Sequence, residues 1–394
     1  MRPTSWTPAR LIAYTLVCLL VATTTFAMGY VAHAMRTLPN PDIPAFAVFW
    51  EAWNLVDRNF YGDKPDETTR AHGAIKGSLS TLDDPYTVFV EPQQRDREQE
   101  ELRGSFGGIG VLVERSAEGR VILTPVADKA AAKAGILPGD ELIAVDDMSI
   151  TATTPFEDIL AAVRGKVGTA VKLTIRRQGT PQPLTIEVQR EEIVTPSVSW
   201  EFEAPDVGYI KLSIFNERTN DELKQAIEEL HKQGAKAFVI DLRNNGGGLL
   251  GAAIDVASQF LPDGVVMYER RSNGEEKAYP VKDNGAVLED PIAVLVNSGT
   301  ASASEIVAGA IQDRRRGSLI GTKTFGKASV QLLFDLSDGS SLHVTNAHWL
   351  TPDRHEIHDV GLIPDTIVEI TDQDRQNQRD TQREQAVTYL REQR

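Results

Sequence analysis

Ala237-Phe238-Val239-Ile240-Asp241-Leu242-Arg243-Asn244-Asn245-Gly246-Gly247-Gly248-Leu249-Leu250 opens as an almost unbroken apolar run, turns through three glycines and resumes as an apolar helix reaching Phe260. The apolar run reads as a strand over 237–242, followed by a turn at 243–248 and the helix. The same alternation continues on either side. Upstream, residues 207–212 read as a strand, Thr219-Asn220-Asp221-Glu222 as a capping box, and Leu223, Ala226, Ile227 and Leu230 as the buried stripe of a helix that Gly234 ends. Downstream come a strand at 292–296, a helix from Ser302 to about Asp313, a strand at 319–321 and a β-rich end over 330–350. Strands alternating with helices predict an α/β layered domain over 193–370.

Other textures flank this domain. From about Arg103 the chain breaks into Gly-rich turns and short β-type runs, predicting a compact β module over 99–192. Over 35–98, Phe46, Phe49, Trp53 and Val56 recur at helical spacing, and Asp83-Asp84-Pro85-Tyr86 makes a turn, predicting a small helical region. The tail 371–394 is polar and charge-balanced and reads as a solvated helix.

No Asp, Glu, Lys or Arg occurs from Leu11 to Met35, long enough to span a bilayer, and Arg2 and Arg10 precede it without an acidic residue. Residues 1–34 are therefore expected to be a membrane anchor or a cleaved signal, with Ala32-His33-Ala34 as the cleavage site, and the rest of the chain to work outside the cytoplasm. Val17 before Cys18 argues against a lipoprotein.

The 394 residues allow two or three domains, and 41% apolar against 25% charged residues excludes wholesale disorder. A net charge of -15 argues against a nucleic-acid partner, and the single cysteine excludes an internal disulfide framework and Cys-based metal clusters.

Two motifs look functional and fail. Gly321-Thr322-Lys323-Thr324-Phe325-Gly326-Lys327 has the start of a phosphate-binding loop, but Ala328 stands where a Ser or Thr is needed and a strand follows instead of a helix. His355-Glu356-Ile357-His358 has the wrong spacing for a zinc helix. Asn297-Ser298-Gly299-Thr300-Ala301-Ser302-Ala303-Ser304-Glu305-Ile306 is more promising: an apolar strand ends in a small-residue turn and a helix starts at once. Unpaired N–H groups there can stabilise an oxyanion beside a serine, although Ser302 or Ser304 could equally cap the helix. No Gly-x-Ser-x-Gly or Ser-x-x-Lys occurs and no histidine stands in a triad context, which leaves Lys327 as a base, provided burial lowers its pKa. The triple glycine at 246–248 offers bare N–H groups.

Together, in order, Asp84-Pro85-Tyr86, the β module, Asp241-Leu242-Arg243-Asn244-Asn245, Ser302-Ala303-Ser304-Glu305, Thr324-Phe325-Gly326-Lys327 and Val330-Gln331 resemble the carboxyl-terminal processing peptidases, or tail-specific proteases, over nearly the whole chain after residue 35. The resemblance implies a PDZ domain ahead of a crotonase-like α/β protease core with a Ser/Lys dyad. It implies Ser302 as nucleophile, Lys327 as general base, Gln331 as the residue orienting the lysine, and the amides of Ala303 and Gly247 as oxyanion hole, with Gly248 the competitor for Gly247. Ala328 stands where the family commonly has Gly. In the PDZ reading, Gly107, Gly108, Ile109 and Gly110 hold the carboxylate of a substrate's C-terminus, with an edge strand alongside. The implied function is a serine endopeptidase of the cell envelope acting on the C-terminal segments of unfolded or precursor proteins, without metal or organic cofactor. A silent PDZ adaptor on the same fold is the alternative, against which stand the intact Ser302, Lys327 and Gln331. A trypsin-like protease would carry its PDZ after the catalytic domain, not before it.

Overall fold

The computed structural model describes residues 44–282 and 285–393. The apolar segment at 11–35, with Cys18 and the proposed cleavage site, lies outside the described residues. Among those described, no helix is long and apolar enough to cross a membrane. The chain divides at Gly73 into two compact units.

In the first unit the helical spacing at 46–56 is realised as α1 (Pro44–Asn59), which leaves Phe46, Phe49 and Trp50 exposed. Helix α2 (Glu67–Leu79) crosses the division. The second unit continues with β1 (Val88–Val90) and α3 (Pro92–Arg103). Proline starts α3 where its missing N–H is not needed, and Gly104 at φ 75° ends it, its amide reaching the Glu100 and Glu101 carbonyls. The border expected at residue 99 thus falls inside a helix.

The β module follows, in chain order β2 (Ser105–Gly108), β3 (Val111–Arg115), β4 (Val121–Pro125), α4 (Ala130–Lys133), β5 (Asp140–Val145), β6 (Met148–Ser149), α5 (Phe156–Val163), β7 (Ala170–Arg176), β8 (Leu184–Gln189) and β9 (Glu191–Val194). Strands β3-β4-β5-β7-β8 form one sheet with β6 on β5, while β2 pairs β9 at the module's base. The module has its own core, with Ile109, Leu123, Leu142, Ile159 and Leu173 buried together. Among the described residues strand β3 pairs only β4, and its outer edge is unpaired.

The last part contains β10 (Val198–Ala204), β11 (Val207–Leu212), α6 (Thr219–Lys232), β12 (Ala237–Asp241), α7 (Leu250–Ala257), β13 (Val265–Arg271), β14 (Glu276–Pro280), β15 (Ile292–Val296), α8 (Ala303–Asp313), β16 (Ser318–Gly321), β17 (Ser329–Asp335), β18 (Ser341–Leu350), β19 (Thr366–Ile367), α9 (Asp372–Gln376) and α10 (Thr381–Glu392). One sheet runs β10-β11-β12-β15-β16-β19, parallel except for β10. Every residue of β12 and β15 is buried because both faces are covered. Phe238 and Ile240 face the side packed by α6, α7 and α8, whereas Ala237 and Val239 face the other. A second sheet, β1-β18-β13-β14 with β17 on β18, brings the strand after Lys327 beside the first.

Two expectations fail here. The capping box at Thr219–Glu222 does not form: Arg218 is the N-cap, and Glu222 instead accepts from the amide and hydroxyl of Ser197. Thr219 is buried, and its hydroxyl accepts from the Asn216 amide at 2.8 Å. The tail is not a solvated helix either. Ala386, Val387 and Leu390 of α10 are buried against Val239 and Leu295, covering the sheet's second face. The polar majority of the tail disguised a three-residue apolar stripe. Leu390→Ala should therefore cost about 2–5 kcal/mol of stability, read as a lowered urea midpoint; an unchanged midpoint would mean that the tail is not part of the core.

Candidate active site

Two strand-ending turns meet at the C-terminal edge of the parallel sheet. After β12, Asn245 is fully buried; its Nδ2 donates to the Leu212 carbonyl, its Oδ1 accepts from the Gly247 amide, and its carbonyl accepts from the Ala301 amide at 3.0 Å and the Ser304 hydroxyl at 2.9 Å. After β15, Asn297 and Asn244 exchange side-chain and backbone bonds at 2.9 Å, and Thr300 donates to the Leu242 carbonyl. The glycine turn and the serine turn are thus locked to each other.

Ser304 is fully buried with its hydroxyl committed to Asn245. Ser302 is half-buried at the start of α8 with φ 55° and ψ −118°, a backbone conformation that costs a non-glycine residue about 1–3 kcal/mol. The strain is held by Glu305, whose Oε2 accepts from the Ser302 amide at 2.9 Å, and by Gly247, which packs so closely that a Cβ there would lie 2.9 Å from the Ser302 Cβ.

Glu305 also reaches the lysine. Fully buried, it accepts from the Lys327 amide at 2.9 Å with Oε2, and from the Gly326 amide at 2.7 Å and the Thr324 hydroxyl at 2.5 Å with Oε1. One carboxylate therefore fixes the serine turn and the lysine loop together. Burial lowers the Lys327 pKa from its ordinary 10.5, with the Asp84 charge acting in the opposite direction. Its ammonium nitrogen lies 4.9 Å from the centre of the Tyr86 ring.

Ser302, Ala303, Lys327, Gln331 and Gly248 line one cavity of about 380 Å³ between α3, α8 and β17. Among the described residues, the Ala303 N–H has no acceptor. Gly247 is buried and its amide is taken by Asn245. Gly248 is exposed, and the bridge it forms with Phe215 uses the Gly247 carbonyl and the Leu249 amide, which leaves the Gly248 N–H unpaired among the described residues. Gln331 Nε2 donates to Ser329 at 2.8 Å and Thr345 at 3.4 Å rather than contacting Lys327, so its Oε1 is the atom left to accept from an ammonium. In the β module Gly107 and Gly108 are strand residues of β2, paired with Glu192 and Glu191. Ile109 and Gly110 follow the strand, with amides unpaired among the described residues; Lys129 crowds the Gly110 Cα so that a Cβ there would lie 2.2 Å from the Lys129 Cβ. No group of three metal-ligating side chains occurs among the described residues.

Sequence reasoning missed Glu305 and Asn245 as the ties of this site. Ser302-x-x-Glu305 has the capping-box spacing and could have pointed to the first. Asn245 stood in the Asp241-Leu242-Arg243-Asn244-Asn245 motif, but its role depends on contacts with residues far away in the chain, which the sequence does not display.

Sequence profiles for a PDZ domain and for peptidase family S41 match residues 107–188 and 206–368. The carboxyl-terminal-processing protease of Synechocystis sp. is 37% identical over 80% of this chain and 75% of its own length. The chain belongs to the carboxyl-terminal processing peptidases of family S41. It is 36% identical to the carboxy-terminal processing protease CtpA of Bacillus subtilis, over 82% of this chain and 68% of that one. Among solved structures, a photosystem II D1 C-terminal processing protease matches with 31% identity, 82% coverage of this chain, 92% of its own and a TM-score of 0.48. This S41 peptidase is a serine-type enzyme, with its PDZ domain preceding the protease domain.

A buried lysine costs stability wherever its ammonium form is populated. Because the folded-state pKa is lowered, the cost is full below that value and fades as pH rises through it to the unfolded value. Lys327→Met should therefore raise the Tm at pH 7, with the gain shrinking as pH rises toward 10.5 and absent above it; a lower Tm at pH 7 would mean that the lysine stabilises the fold.

Proposed function

We propose that this peptidase cleaves by a Ser302/Lys327 dyad, recognising substrates by their C-termini through the PDZ domain. The observation that carries the reading is the shared cavity, in which a strained serine at a helix start meets a lysine whose pKa is lowered by burial. Lys327 in its neutral form takes the proton from the Ser302 hydroxyl as the oxygen attacks the scissile carbonyl. The tetrahedral oxyanion is met by the Ala303 N–H at the positive end of α8 and by a second amide from the glycine turn. Gly248 suits that role better than Gly247, whose N–H already serves Asn245. Lys327 then returns the proton to the leaving amine, and water admitted to the cavity hydrolyses the acyl-enzyme through the same base. Gln331 accepts from the ammonium with its Oε1 and steadies it between the two steps.

Substrate delivery uses the unpaired edge of β3, where a peptide adds as a strand with its terminal carboxylate on the amides of Ile109 and Gly110. Gly107 and Gly108 contribute by bringing the chain to that point. The substrates are the C-terminal segments of unfolded or precursor proteins in the cell envelope, a location supported by the uncharged stretch at 11–35, through which the enzyme is tethered or exported.

Ser302→Ala should abolish cleavage of an unfolded protein while peptide binding persists, and Ser304→Ala should keep substantial activity; the reverse order would move the nucleophile to Ser304. Lys327→Arg should lose about 10²–10⁴-fold, because a guanidinium stays protonated. Retention of more than about a tenth of the wild-type rate would refute the base assignment.

Amidating a substrate's C-terminus should raise its Kd for the PDZ domain about 5- to 150-fold, the equivalent of 1–3 kcal/mol for a charge-assisted contact. Equal Kd values for amidated and free ends, measured by calorimetry on Ser302→Ala protein, would remove carboxylate recognition from the account.

A further inference from the structure

The lysine's backbone is held by Glu305 on one side and by the Trp349 indole N–H, which donates to the Lys327 carbonyl at 3.3 Å, on the other. Its side chain needs a hold of its own. Among the described residues the ammonium makes no hydrogen bond or ion pair, although the lysine is half-buried. Among the described residues it rests on the Tyr86 ring, 4.9 Å away at the centroid, where the negative face of the π system attracts a cation. Tyr86 is carried by a rigid turn. Asp84 Oδ1 accepts from the Tyr86 amide at 3.0 Å and Oδ2 from the Thr87 hydroxyl at 2.6 Å. The Thr87 hydroxyl oxygen in turn accepts from the Thr345 amide of β18 at 3.1 Å, and the Thr345 side chain meets Gln331 at 3.4 Å. The Tyr86 ring also meets His358 in an edge-type contact at 6.0 Å, and His358 lies against His348 with ring centres 4.3 Å apart and planes tilted by 33°.

We propose that the Asp84-Pro85-Tyr86-Thr87 turn positions the general base, with the Tyr86 ring and the Asp84 charge together forming a berth for the Lys327 ammonium. The assignment rests on the reading of Lys327 as base. Both partners keep the required state over the working pH range. Burial raises the Tyr86 phenol above its usual value, so the ring stays neutral. Burial also pushes the Asp84 carboxyl up, but hydrogen bonds from the Thr87 and Thr345 hydroxyls and from the Tyr86 and Thr87 amides more than offset this, leaving it below the usual 3.8 and charged. Asp84 favours the lysine's charged form while burial disfavours it. The turn thus keeps the base from losing its proton too readily, so that it remains strong enough to accept one from a serine hydroxyl. The other titratable groups facing this region are Glu305 of α8, His358 and Asp359 before β19, His343 and His348 of β18, and Glu98 and Glu101 of α3. The variants below leave all of them in place.

The test reads the lysine twice. In the pH dependence of kcat/KM, Asp84→Asn and Tyr86→Leu should each move the acidic limb about 0.5–1 unit lower and reduce the plateau, whereas Tyr86→Phe, which keeps the ring, should leave the limb where wild type has it. Independently of turnover, lysine labelled at ¹³Cε and placed in a Ser302→Ala background reports the Lys327 titration by NMR, the resonance being assigned by its loss in Lys327→Arg. The same downward shifts are expected there. If Asp84→Asn and Tyr86→Leu lower the rate but leave both the limb and the NMR titration at wild-type positions, the turn is only structural and the proposal falls. An active Lys327→Arg would instead remove the base reading, an outcome the NMR titration keeps separate from the berth itself.

Discussion

The carboxylate of Glu305 is where the two halves of the site become one. It accepts four hydrogen bonds in a fully buried position, one from the Ser302 amide and three from the segment that delivers Lys327. A buried carboxylate without partners would be expensive, and each donor withdrawn would return part of that cost. The same interaction therefore stabilises the strained φ of Ser302 and sets the distance between serine and lysine. In the proposed Ser302/Lys327 dyad, this carboxylate orders the backbone that carries the base, alongside the part proposed for Gln331 at its side chain.

That tie works because the scaffold beneath it is stiff. Asn245 locks the glycine turn to the serine turn, and both turns end strands that are buried on both faces. Gly247 lies against Ser302 with no room for a side chain, and Gly248 likewise has the Phe215 carbonyl 2.1 Å from where a Cβ would stand. Both need left-handed or extended positive φ, at 108° and 139°. The C-terminal helix contributes at a distance. Its Asp380 accepts from Arg243, which also grips Asp241 at the end of β12, so the tail braces the strand that leads into the glycine turn.

Much of this was legible in the chain. The apolar strands at 207–212, 237–242 and 292–296, alternating with helices, announced an α/β layered domain because strands covered on both faces carry few polar residues to conceal them. Ser302, Lys327 and Gln331 were reachable through the order of their motifs, and they line one cavity. What escaped depended on partners distant in sequence. The α10 stripe of Ala386, Val387 and Leu390 is too sparse to stand out from its polar neighbours, Thr219 and Glu222 were drawn into bonds with Ser197 that outcompeted a local cap, and the commitment of the Gly247 amide to the Asn245 side chain could not be read from the triple glycine.

The tie itself can be measured directly by labelling the serine with a fluorophosphonate and mapping the modified peptide in wild-type and Glu305→Gln protein of unchanged circular dichroism. An amide in place of the carboxylate turns one acceptor oxygen into a donor that faces N–H groups, so the serine and lysine loops should separate without unfolding the sheet. A phosphonylated Ser302 is expected in wild type and at least a roughly tenfold slower reaction in the variant, an order-of-magnitude bar equal to the loss of a single hydrogen bond to a charged group. Labelling of Ser302 at the wild-type rate in Glu305→Gln would contradict it.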